Sequence, residues 1–427
     1  MKTLIVSLER NGALVPVGSI RGNNTSDSQF RYSEEYLHDP EAVALSISLP
    51  LQEQPFSPYQ TRGFFEGLLP EGFTRRSVAQ WMHVDENDYL SILHGLGREC
   101  LGAICITVEG EEAESSYEKI TEQQIQELAA EGASKSTELV MKSHLSLTGA
   151  TGKAGLYYAA DADAWYLPWG TAPSTHIVKQ SHVRLDSLVT NEQLSLKTAA
   201  RCGITVPNSF IINTGSGEEH EVLFATERFD RVFSDNSKTI SGLPCPLRLH
   251  QEDFAQAMGI HSFDKYEREQ DAHMKGMFDI LRKHSSDPIA DQIKLWDVIV
   301  FDYLIGNTDA HIKNLSLLYS PDLKSIRLAP AYDIVSTTVY EQSTREMAFR
   351  IGGARSIDDI TADSFRTAAR EVGLGERMAI RRYELMSKQF RTALRQSTEE
   401  LVSAGYPKAA EIEDRILQSG GIAKAAN

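Results

Sequence analysis

Apolar and polar residues alternate with a period of two in the first part of the chain. Residues 3–8 and 13–19 show this alternation on either side of Asn11-Gly12, which predicts two strands joined by a tight hairpin. Residues 41–49 alternate in the same way before Pro50, which predicts another strand. The other elements predicted here are a strand at 102–108 and helices at 64–69 and 73–82. The pattern therefore predicts an N-terminal α+β domain.

A short acidic segment, residues 109–116, follows this part and is the best linker candidate in the chain. Beyond it the pattern predicts strands at 155–159, 164–167, 175–179, 207–213 and 222–228 and helices at 121–132 and 191–202. From about residue 250 the helical period dominates and predicts helices at 251–258, 270–285, 290–305, 362–371, 376–402 and 407–418. A mixed β region is thus followed by a largely helical region.

The composition is that of a folded protein with more than one domain. The chain has 427 residues, 41% of them hydrophobic and 24% charged, which favours two or three domains. It contains no apolar run of membrane-spanning length, no signal-peptide core at the N-terminus and no CxxC pair among its four cysteines, so a cytoplasmic protein is expected. A net charge of −16 argues against nucleic-acid binding through a general basic surface, and leaves a local basic patch or a DNA-binding partner open.

Residues 302–314 carry the strongest chemical signal. Within them Asp309 and Asn314 stand five positions apart, the spacing of the base and a metal-binding Asn in the kinase motif H-R-D-x-x-x-x-N. Asp333 follows nineteen residues after Asn314, where a kinase places its second metal-binding carboxylate. Two carboxylates and a carboxamide are hard oxygen ligands, suited to Mg²⁺ bound through ATP phosphates. The two spacings support the hypothesis of a kinase site, and a mixed β region followed by a helical region is the order that a two-lobed kinase requires.

Two lysines further upstream are candidates for phosphate contacts. The segment from Ser146 to Lys153 resembles a phosphate-binding loop, although Leu147 and Ala154 exclude a Walker A motif. An ordinary Gly-rich hairpin turn is the alternative. Lys179 ends an apolar strand, as the phosphate-binding lysine of kinases does, or is simply a solvated strand end.

Four further residues each have two interpretations. Glu192 forms an ion pair with Lys179, or is a glutamate favoured at a helix start by the helix dipole. Phe229 lies against an adenine ring, or is a core residue at a charged strand end. His311 contributes to the site, or is a polar packing residue of the loop, and Lys313 contacts the γ-phosphate, or is a solvated charge.

Taken together, these segments are similar to the HipA family, the serine/threonine kinase toxins of bacterial HipBA toxin–antitoxin modules. The segments that carry the resemblance include Leu-Ser-Ile-Ser-Leu-Pro-Leu, Phe-Phe-Glu-Gly-Leu-Leu-Pro-Glu-Gly, Gly-Arg-Glu-Cys-Leu-Gly-Ala, Ser-Leu-Thr-Gly-Ala, Ser-Thr-His-Ile-Val-Lys, Glu-Arg-Phe-Asp-Arg and His-Gln-Glu-Asp-Phe-Ala-Gln. The resemblance implies an α+β, two-lobed protein-kinase-like fold with an extra N-terminal α+β domain and a mostly helical C-terminal lobe. The regions it implies are an N-terminal domain at 1–110, an acidic linker and helix at 111–135, a kinase N-lobe-like region at 136–245 and a helical lobe at 246–427.

The resemblance also implies roles for single residues. Asp309 is expected to be the catalytic base, and the expected Mg²⁺ ligands are Asn314 and Asp333. Glu227 and Phe229 are expected to hold the adenine of ATP, with Asp230 near the ribose. The remaining contacts to ATP are expected from Lys153, Lys179, His311 and Lys313.

Ser146 matches the serine that kinases of this family autophosphorylate. Phosphorylation there is thought to eject the loop from the site and shut the enzyme off, because it adds about two negative charges. Thr148 is a second candidate phosphoacceptor. The loop departs from the family pattern at Thr151-Gly152, where the family commonly has Gln and one further residue, while Lys153 is kept.

The function implied by the resemblance is that of an ATP- and Mg²⁺-dependent protein serine/threonine kinase, a toxin that arrests growth and is linked to persistence. The expected partners are a HipB-like helix-turn-helix antitoxin, operator DNA bound mainly through that antitoxin, and a host protein substrate, with an aminoacyl-tRNA synthetase as one candidate. No membrane partner is expected. The alternatives are a catalytically silent kinase fold that supports a repressor on DNA and a small-molecule phosphotransferase.

Overall fold

The structure, a computed structural model, describes residues 2–110, 114–143, 146–147, 152–181, 185–234 and 237–425. Its strands are β1 (Lys2–Arg10), β2 (Ala13–Gly22), β3 (Gln29–Tyr32), β4 (Ile104–Val108), β5 (Ser116–Lys119), β6 (Lys153–Ala159), β7 (Ala164–Trp169), β8 (His176–Gln180), β9 (Ser209–Asn213), β10 (Val222–Glu227), β11 (Arg231–Val232), β12 (Thr239–Ile240), β13 (Leu243–Pro244), β14 (Leu247–Arg248), β15 (Gln251–Asp253), β16 (Ser316–Tyr319), β17 (Ile326–Leu328), β18 (Glu346–Ile351) and β19 (Ala354–Ser356). Its α-helices are α1 (Glu34–Leu37), α2 (Pro58–Phe65), α3 (Gly72–Met82), α4 (Tyr89–Leu96), α5 (Glu122–Glu131), α6 (Ala133–Ser143), α7 (Leu188–Arg201), α8 (Phe254–Met258), α9 (His273–His284), α10 (Pro288–Ile305), α11 (Ala362–Glu371), α12 (Glu376–Ser403), α13 (Lys408–Ser419) and α14 (Ile422–Ala425). Short 3-10 helices lie at Glu66–Leu68, Ala160–Ala162, Glu219–Glu221 and Ser262–Asp264.

Contacts within the chain divide it into two compact units. The first unit consists of Met1–Gln180, Ala225–Ser262 and Leu317–Ile326. The second unit consists of Ser181–Phe224, Phe263–Ser316 and Arg327–Asn427. The four regions predicted from the sequence stay a prediction.

The N-terminal hairpin lies where the alternation predicts it. β1 and β2 pair antiparallel around Asn11 and Gly12, whose φ angles are 50° and 81°, and a tight two-residue hairpin turn requires such positive values. The strand order of this sheet is β3-β2-β1-β4. Leu4, Val6 and Leu8, which alternate along β1, are at most 2% exposed, so the period-two pattern marks the buried face of the sheet.

Residues 41–49 do not form the predicted strand. The hydroxyl of Tyr32 accepts a hydrogen bond from the Leu45 N–H (2.7 Å) and donates one to the Leu49 carbonyl (2.6 Å). The Tyr36 hydroxyl binds an N–H and a carbonyl of the same segment. Tyrosine hydroxyls thus satisfy backbone groups that a neighbouring strand would otherwise satisfy, and the alternation of side chains cannot reveal this.

The first unit also contains a second sheet, in which β5, β7, β6, β8 and the end of β10 follow one another. β7 pairs antiparallel with β5 and with β6, and β6 pairs antiparallel with β8. The strands predicted at 155–159, 164–167 and 175–179 are therefore confirmed. The helix predicted at 251–258 is partly wrong, because its first residues form β15, which lies beside β16 in a three-stranded sheet completed by β17.

A buried carboxyl group, that of Glu252, lies in β15. The side chain accepts hydrogen bonds from the hydroxyls of Ser46 and Tyr319 and from the Ile47 N–H (3.2 Å), and the residue is 1% exposed. Burial raises the pKa of Glu252 to about 7, although these hydrogen bonds oppose the rise. Folding therefore disfavours the ionised form of this group.

Replacing Glu252 by Gln is expected to increase stability more at pH 8 than at pH 5. Because the folded-state pKa of about 7 lies above the ordinary value of 4.5, the wild type loses stability from this group as the pH rises between those values. The variant has no such loss, so its stability relative to the wild type should rise by about 2.5 kcal/mol between pH 5 and pH 8. Urea unfolding at both pH values measures this gain. Glu53→Gln, at an exposed position, is the control, and an equal effect of Glu252→Gln at both pH values would contradict the prediction.

Helices form most of the second unit. α10 begins after Asp287, whose side chain accepts a hydrogen bond from the Ala290 N–H, and has Pro288 at its first position. It is apolar and largely buried, and α9, α12 and α14 pack against it. The predicted helices that became α10 to α13 are confirmed, with ends that differ by at most two residues. Across the described part of the chain, no helix combines the length and apolar character needed to cross a membrane.

Candidate active site

The predicted catalytic loop follows directly on α10. Gly306 ends the helix in the left-handed conformation (φ 80°). A Cβ atom at this position would lie 2.1 Å from Oγ1 of Thr338, so the close approach of the two segments requires glycine. The chain therefore leaves the helix in a tight turn, and the residues with the kinase spacing come immediately after it.

Two residues that sequence reasoning did not single out shape this turn. The Asn307 N–H donates to the Asp302 carbonyl (2.8 Å), and Nδ2 of Asn307 donates to Oδ1 of Asp302 (2.9 Å). Oδ1 of Asn307 in turn accepts a hydrogen bond from the Asp309 N–H (3.2 Å). Burial raises the pKa of Asp302 to about 7. Asp302 and Asn307 both lie within residues 302–314, and five positions separate them. This spacing of an aspartate and an asparagine was the signal in the sequence that could have identified them.

Asp309 and Asn314 are brought together in one turn of the chain. Asp309 is exposed, and its carbonyl accepts hydrogen bonds from the His311 N–H (2.8 Å) and from Nδ2 of Asn314 (3.1 Å). Oδ1 of Asp309 also accepts a hydrogen bond from the hydroxyl of Tyr266. The predicted base is thus held by the side chain of a predicted metal ligand.

His311 and Lys313 are buried parts of the same loop. Each residue is 5% exposed. The His311 ring packs edge-on against the Tyr266 ring, and the Lys313 carbonyl accepts a hydrogen bond from the Tyr332 hydroxyl (3.1 Å). This burial excludes a solvated surface charge at Lys313, one of its two interpretations.

Asp333 has an unusual backbone conformation. Its φ angle is 56°, in the left-handed region that residues other than glycine seldom adopt and that is enriched at functional sites. On one side of it the Ala331 N–H donates to the Thr205 carbonyl (2.8 Å). On the other side Ser336 exchanges two hydrogen bonds with the side chain of Asn191, at 2.9 and 3.1 Å. Tertiary contacts therefore hold the conformation of Asp333 in place.

Hydrogen bonds also join the Asp333 loop to the catalytic loop. The Tyr332 hydroxyl contacts the Lys313 carbonyl and Oγ of Ser316 (2.5 Å). Oγ1 of Thr337 accepts a hydrogen bond from the Thr308 N–H (2.8 Å). The second unit thus joins the two segments that carry the predicted metal ligands.

The predicted metal ligands offer hard oxygen donors. One is the carboxylate of Asp333 and the other is the carboxamide of Asn314, a donor set that suits Mg²⁺ when ATP phosphates and water complete its coordination. Within the described residues there is no group of three His, Cys, Asp or Glu side chains that could hold a metal ion. The assignment of Mg²⁺ to Asn314 and Asp333 stays a prediction.

Lys153 and Lys179 lie directly opposite each other in the first unit. They are paired in the antiparallel register of β6 and β8, and they are 7% and 8% exposed. Directly opposite side chains share one face of a sheet, with Cβ atoms about 5 Å apart. Two buried ammonium groups on one face of a sheet are stabilised by negative charge nearby. Phosphate groups are one source of such charge, and the solvated strand end considered for Lys179 is excluded.

The residues at the end of β10 and just after it, which were predicted to contact adenine and ribose, differ in how exposed they are. Glu227 is exposed and Phe229 is half-buried, so both are compatible with an adenine contact. Asp230 is 1% exposed, and its carboxylate accepts hydrogen bonds from Arg228 (2.9 and 2.8 Å) and from the Gly102 N–H (2.7 Å). These contacts give Asp230 a structural role, and its expected position near the ribose stays a prediction.

Asp230 belongs to a buried network of ion pairs in the first unit. Arg228 also contacts Glu99 (3.2 Å), and Arg231 contacts both Glu99 (3.0 Å) and Asp230 (3.1 Å). These four side chains are at most 2% exposed. Burial alone would raise the pKa of Glu99, but Arg228, Arg231 and Arg248 outweigh it and lower that pKa. The sequence did not indicate the network, because Glu99 stands 129 positions before Arg228 in the chain.

Ser146, the expected site of autophosphorylation, is fully buried. Its hydroxyl donates to the Leu68 carbonyl (2.6 Å), and its N–H donates to the Glu99 carbonyl (2.8 Å). A hydroxyl in this position is inaccessible to ATP, so modification requires the segment to move. Thr148, the second candidate phosphoacceptor, lies outside the described residues, as does Thr151 of the departing loop.

Comparison with known families gives matches in both parts of the chain. The HipA N-terminal domain matches residues 12–107, and the HipA-like C-terminal domain matches residues 145–396, which is more than half of the chain. The chain belongs to the HipA family. The resemblance predicted from the sequence is confirmed, and it includes the N-terminal domain.

Relatives of this HipA-family chain are similar over most of their length. Y4mE of Sinorhizobium fredii, named as a candidate kinase, is 33% identical over 375 residues, which cover 86% of each chain. The serine/threonine-protein kinase toxin HipA of Shewanella oneidensis is 27% identical over 88% of this chain and 84% of its own length. A solved complex of Shewanella oneidensis HipA with HipB and its operator DNA matches over 99% of both chains, with a TM-score of 0.78 and 22% identity. This last match shows the fold, so the predicted kinase-like α+β fold is confirmed.

Proposed function

We propose that this HipA-family protein is an ATP- and Mg²⁺-dependent protein serine/threonine kinase. The observation that carries the proposal is the catalytic loop, in which Asn314 holds the backbone of Asp309 and hydrogen bonds join the loop to that of Asp333. The relatives named as kinases support the same activity. A kinase needs these three groups close together, and the second unit provides the contacts that hold their segments.

In this proposal, positioning and charge neutralisation supply most of the catalysis. The carboxylate of Asp309 accepts the proton of the substrate hydroxyl as the hydroxyl oxygen bonds to the γ-phosphorus of ATP. Asn314 and Asp333 would hold Mg²⁺, which would neutralise phosphate charge. The ammonium groups of Lys153 and Lys179, which lie opposite each other in the register of β6 and β8, bind phosphate oxygens.

The proposal extends to a role as the toxin of a toxin–antitoxin pair. The relative named as the HipA toxin and the solved HipA–HipB–operator DNA complex support a HipB-like antitoxin as partner. With a net charge of −16, this chain reaches operator DNA mainly through that antitoxin. Its substrate is a host protein in the cytoplasm, with an aminoacyl-tRNA synthetase as one candidate, and phosphorylation of that protein arrests growth.

Autophosphorylation of Ser146 is proposed as the step that inactivates the enzyme. A phosphate on this side chain removes the hydrogen bond to Leu68 and adds about two negative charges to a buried position. Burying that charge is unfavourable, so the modified segment is expelled. The buried position of Ser146 therefore represents the unmodified state in this proposal.

The test is transfer of label from γ-labelled ATP and Mg²⁺ to purified, dephosphorylated protein, followed by mapping of the labelled residue. We expect label on Ser146. Lys179→Met removes one of the two paired ammonium groups, so the ATP concentration for half-maximal labelling should rise about tenfold or more, with a smaller change in the rate at saturating ATP. Lys275→Met is the matched control, because Lys275 is an exposed, ion-paired lysine on α9.

Three results would contradict the proposal in different ways. Wild-type protein that binds ATP but transfers no label would contradict the proposed protein-kinase activity. Label on added small metabolites and none on protein would favour a small-molecule phosphotransferase. Binding to an antitoxin and its operator without any transfer would favour a silent scaffold.

A further inference from the structure

Tyr266 lies before α9 in the second unit and contacts the proposed base. Its hydroxyl donates a hydrogen bond to Oδ1 of Asp309. Hydrogen bonds from Asp309 to Asn307 (3.2 Å) and from Asn314 to Asp309 (3.1 Å) hold the backbone of Asp309. Those backbone contacts leave the side-chain rotamer of Asp309 to be set by other groups. The bond from Tyr266 is a contact that sets the direction of the carboxylate.

The backbone that carries Tyr266 is anchored on a buried carboxylate. The next residue, Glu267, is 3% exposed and accepts hydrogen bonds from the N–H groups of His273 (2.9 Å) and Arg350 (2.8 Å). The Arg350 guanidinium also forms an ion pair with it (3.2 Å), and the Glu267 N–H donates to the Ala348 carbonyl (2.9 Å). These bonds join the segment to α9 and β18, so Tyr266 extends from a fixed support.

The ring of Tyr266 is fixed from the other side by the catalytic loop. It packs edge-to-face on His311, with ring centroids 5.3 Å apart and planes at 83°. Tyr266 nevertheless remains 41% exposed, so its ring forms part of the surface beside Asp309. A tyrosine held at both its backbone and its ring is suited to orienting another group, and poorly suited to swinging away from it.

We infer that Tyr266 is a positioning residue for phosphoryl transfer, whose hydroxyl holds the Asp309 carboxylate in the orientation that accepts the proton of the substrate hydroxyl. The inference rests on the proposed function, because it requires Asp309 to be the base. It adds a residue outside the kinase-like spacing, forty-three positions before Asp309 in the chain.

The phosphoryl transfer that Tyr266 supports requires ATP and the acceptor hydroxyl as its two reactants. The proton of the acceptor hydroxyl passes to the carboxylate of Asp309, and the acceptor oxygen forms a bond to the γ-phosphorus of ATP. The bond between that phosphorus and the bridging oxygen of ADP breaks, and ADP leaves with the electron pair. Tyr266 keeps its own proton throughout, so its contribution is geometric.

The test compares Tyr266→Phe and Tyr266→Ala with the wild type in self-labelling of the dephosphorylated full-length chain by γ-labelled ATP and Mg²⁺. Phe keeps the ring contact with His311 and loses the hydroxyl, whereas Ala loses both. We expect the rate constant at saturating ATP to fall about 10- to 100-fold in both variants. The ATP concentration for half-maximal rate should stay within about twofold of the wild type, because Tyr266 is not assigned a contact with ATP.

Tyr59→Phe is the matched control. Tyr59 is 64% exposed and its ring also packs on a histidine, His261, at 4.1 Å, but the proposal gives it no role in the site. Tyr266→Phe at the wild-type rate, or faster, would overturn the inference and leave the kinase activity standing. A rise in the half-maximal ATP concentration without a fall in the maximal rate would overturn it as well. Wild-type protein that binds ATP but transfers no label would contradict the proposed kinase function, and the inference about Tyr266 would fall with it.

Discussion

Replacing Asp309 by Asn is expected to lower the maximal rate of phosphoryl transfer about 10²- to 10⁴-fold, the range that a general base contributes. Asn has nearly the same shape as Asp, and its side-chain oxygen can still accept the hydrogen bond from the Tyr266 hydroxyl. It cannot take up the proton of the substrate hydroxyl. The hydrogen bonds to Asn307 and Asn314 use the backbone of residue 309, so the loop should persist. Single-turnover labelling at saturating ATP measures the rate, and titration with ATP measures binding.

The control for Asp309→Asn is the same change at Asp359, which is exposed and lies outside the proposed site. We expect Asp359→Asn to match the wild type and Asp309→Asn to keep its affinity for ATP. Transfer within tenfold of the wild-type rate in Asp309→Asn would show that another group takes the proton. A matching loss of ATP affinity would show that Asp309 acts in binding.

Local sequence patterns pointed to residues 302–314 as the candidate catalytic loop because the groups with kinase spacing lie within a few residues of one another. Asp309 and Asn314 come together through hydrogen bonds inside one turn, and their spacing of five, with Asp333 nineteen residues after Asn314, indicated them as candidates. The contact between Tyr266 and Asp309 spans forty-three positions, and no local pattern marks it. The contact of Asn191 with Ser336 spans an even longer stretch.

The strands show the same division between local and long-range information. The hairpin around Asn11-Gly12 was predictable, because its turn residues and alternating strands are neighbours in sequence. Residues 41–49 alternate just as regularly, yet Tyr32 and Tyr36 bind their backbone and no strand forms. The pairing of Lys153 with Lys179 required the register between β6 and β8, which the two strand patterns alone leave undetermined.

Replacing Arg228 by Met is expected to reduce the free energy of unfolding by about 3 to 5 kcal/mol, because Arg231 is then left to compensate the two buried carboxylates of Glu99 and Asp230. The Arg228 side chain is 0% exposed and binds Asp230 through two nitrogens, at 2.9 and 2.8 Å. It also contacts Glu99 (3.2 Å) and Oγ of Ser174 (2.9 Å). Urea-induced unfolding at neutral pH measures the loss, provided that the dependence on urea concentration is unchanged.

Arg345→Met is the matched control, since Arg345 also binds a carboxylate through two nitrogens, that of Asp358 at 2.6 and 2.8 Å. The side chains of this second pair are 42% and 41% exposed, so solvent screens their attraction, and we expect a loss below about 1 kcal/mol. Adding Asp230→Asn to Arg228→Met removes the uncompensated charge and should restore part of the stability. If Arg228→Met and Arg345→Met lose equal free energy of unfolding, burial does not make the Arg228 ion pairs more important for stability, and the prediction is wrong. A double variant less stable than Arg228→Met would show instead that Asp230 stabilises the fold through its bond to the Gly102 N–H.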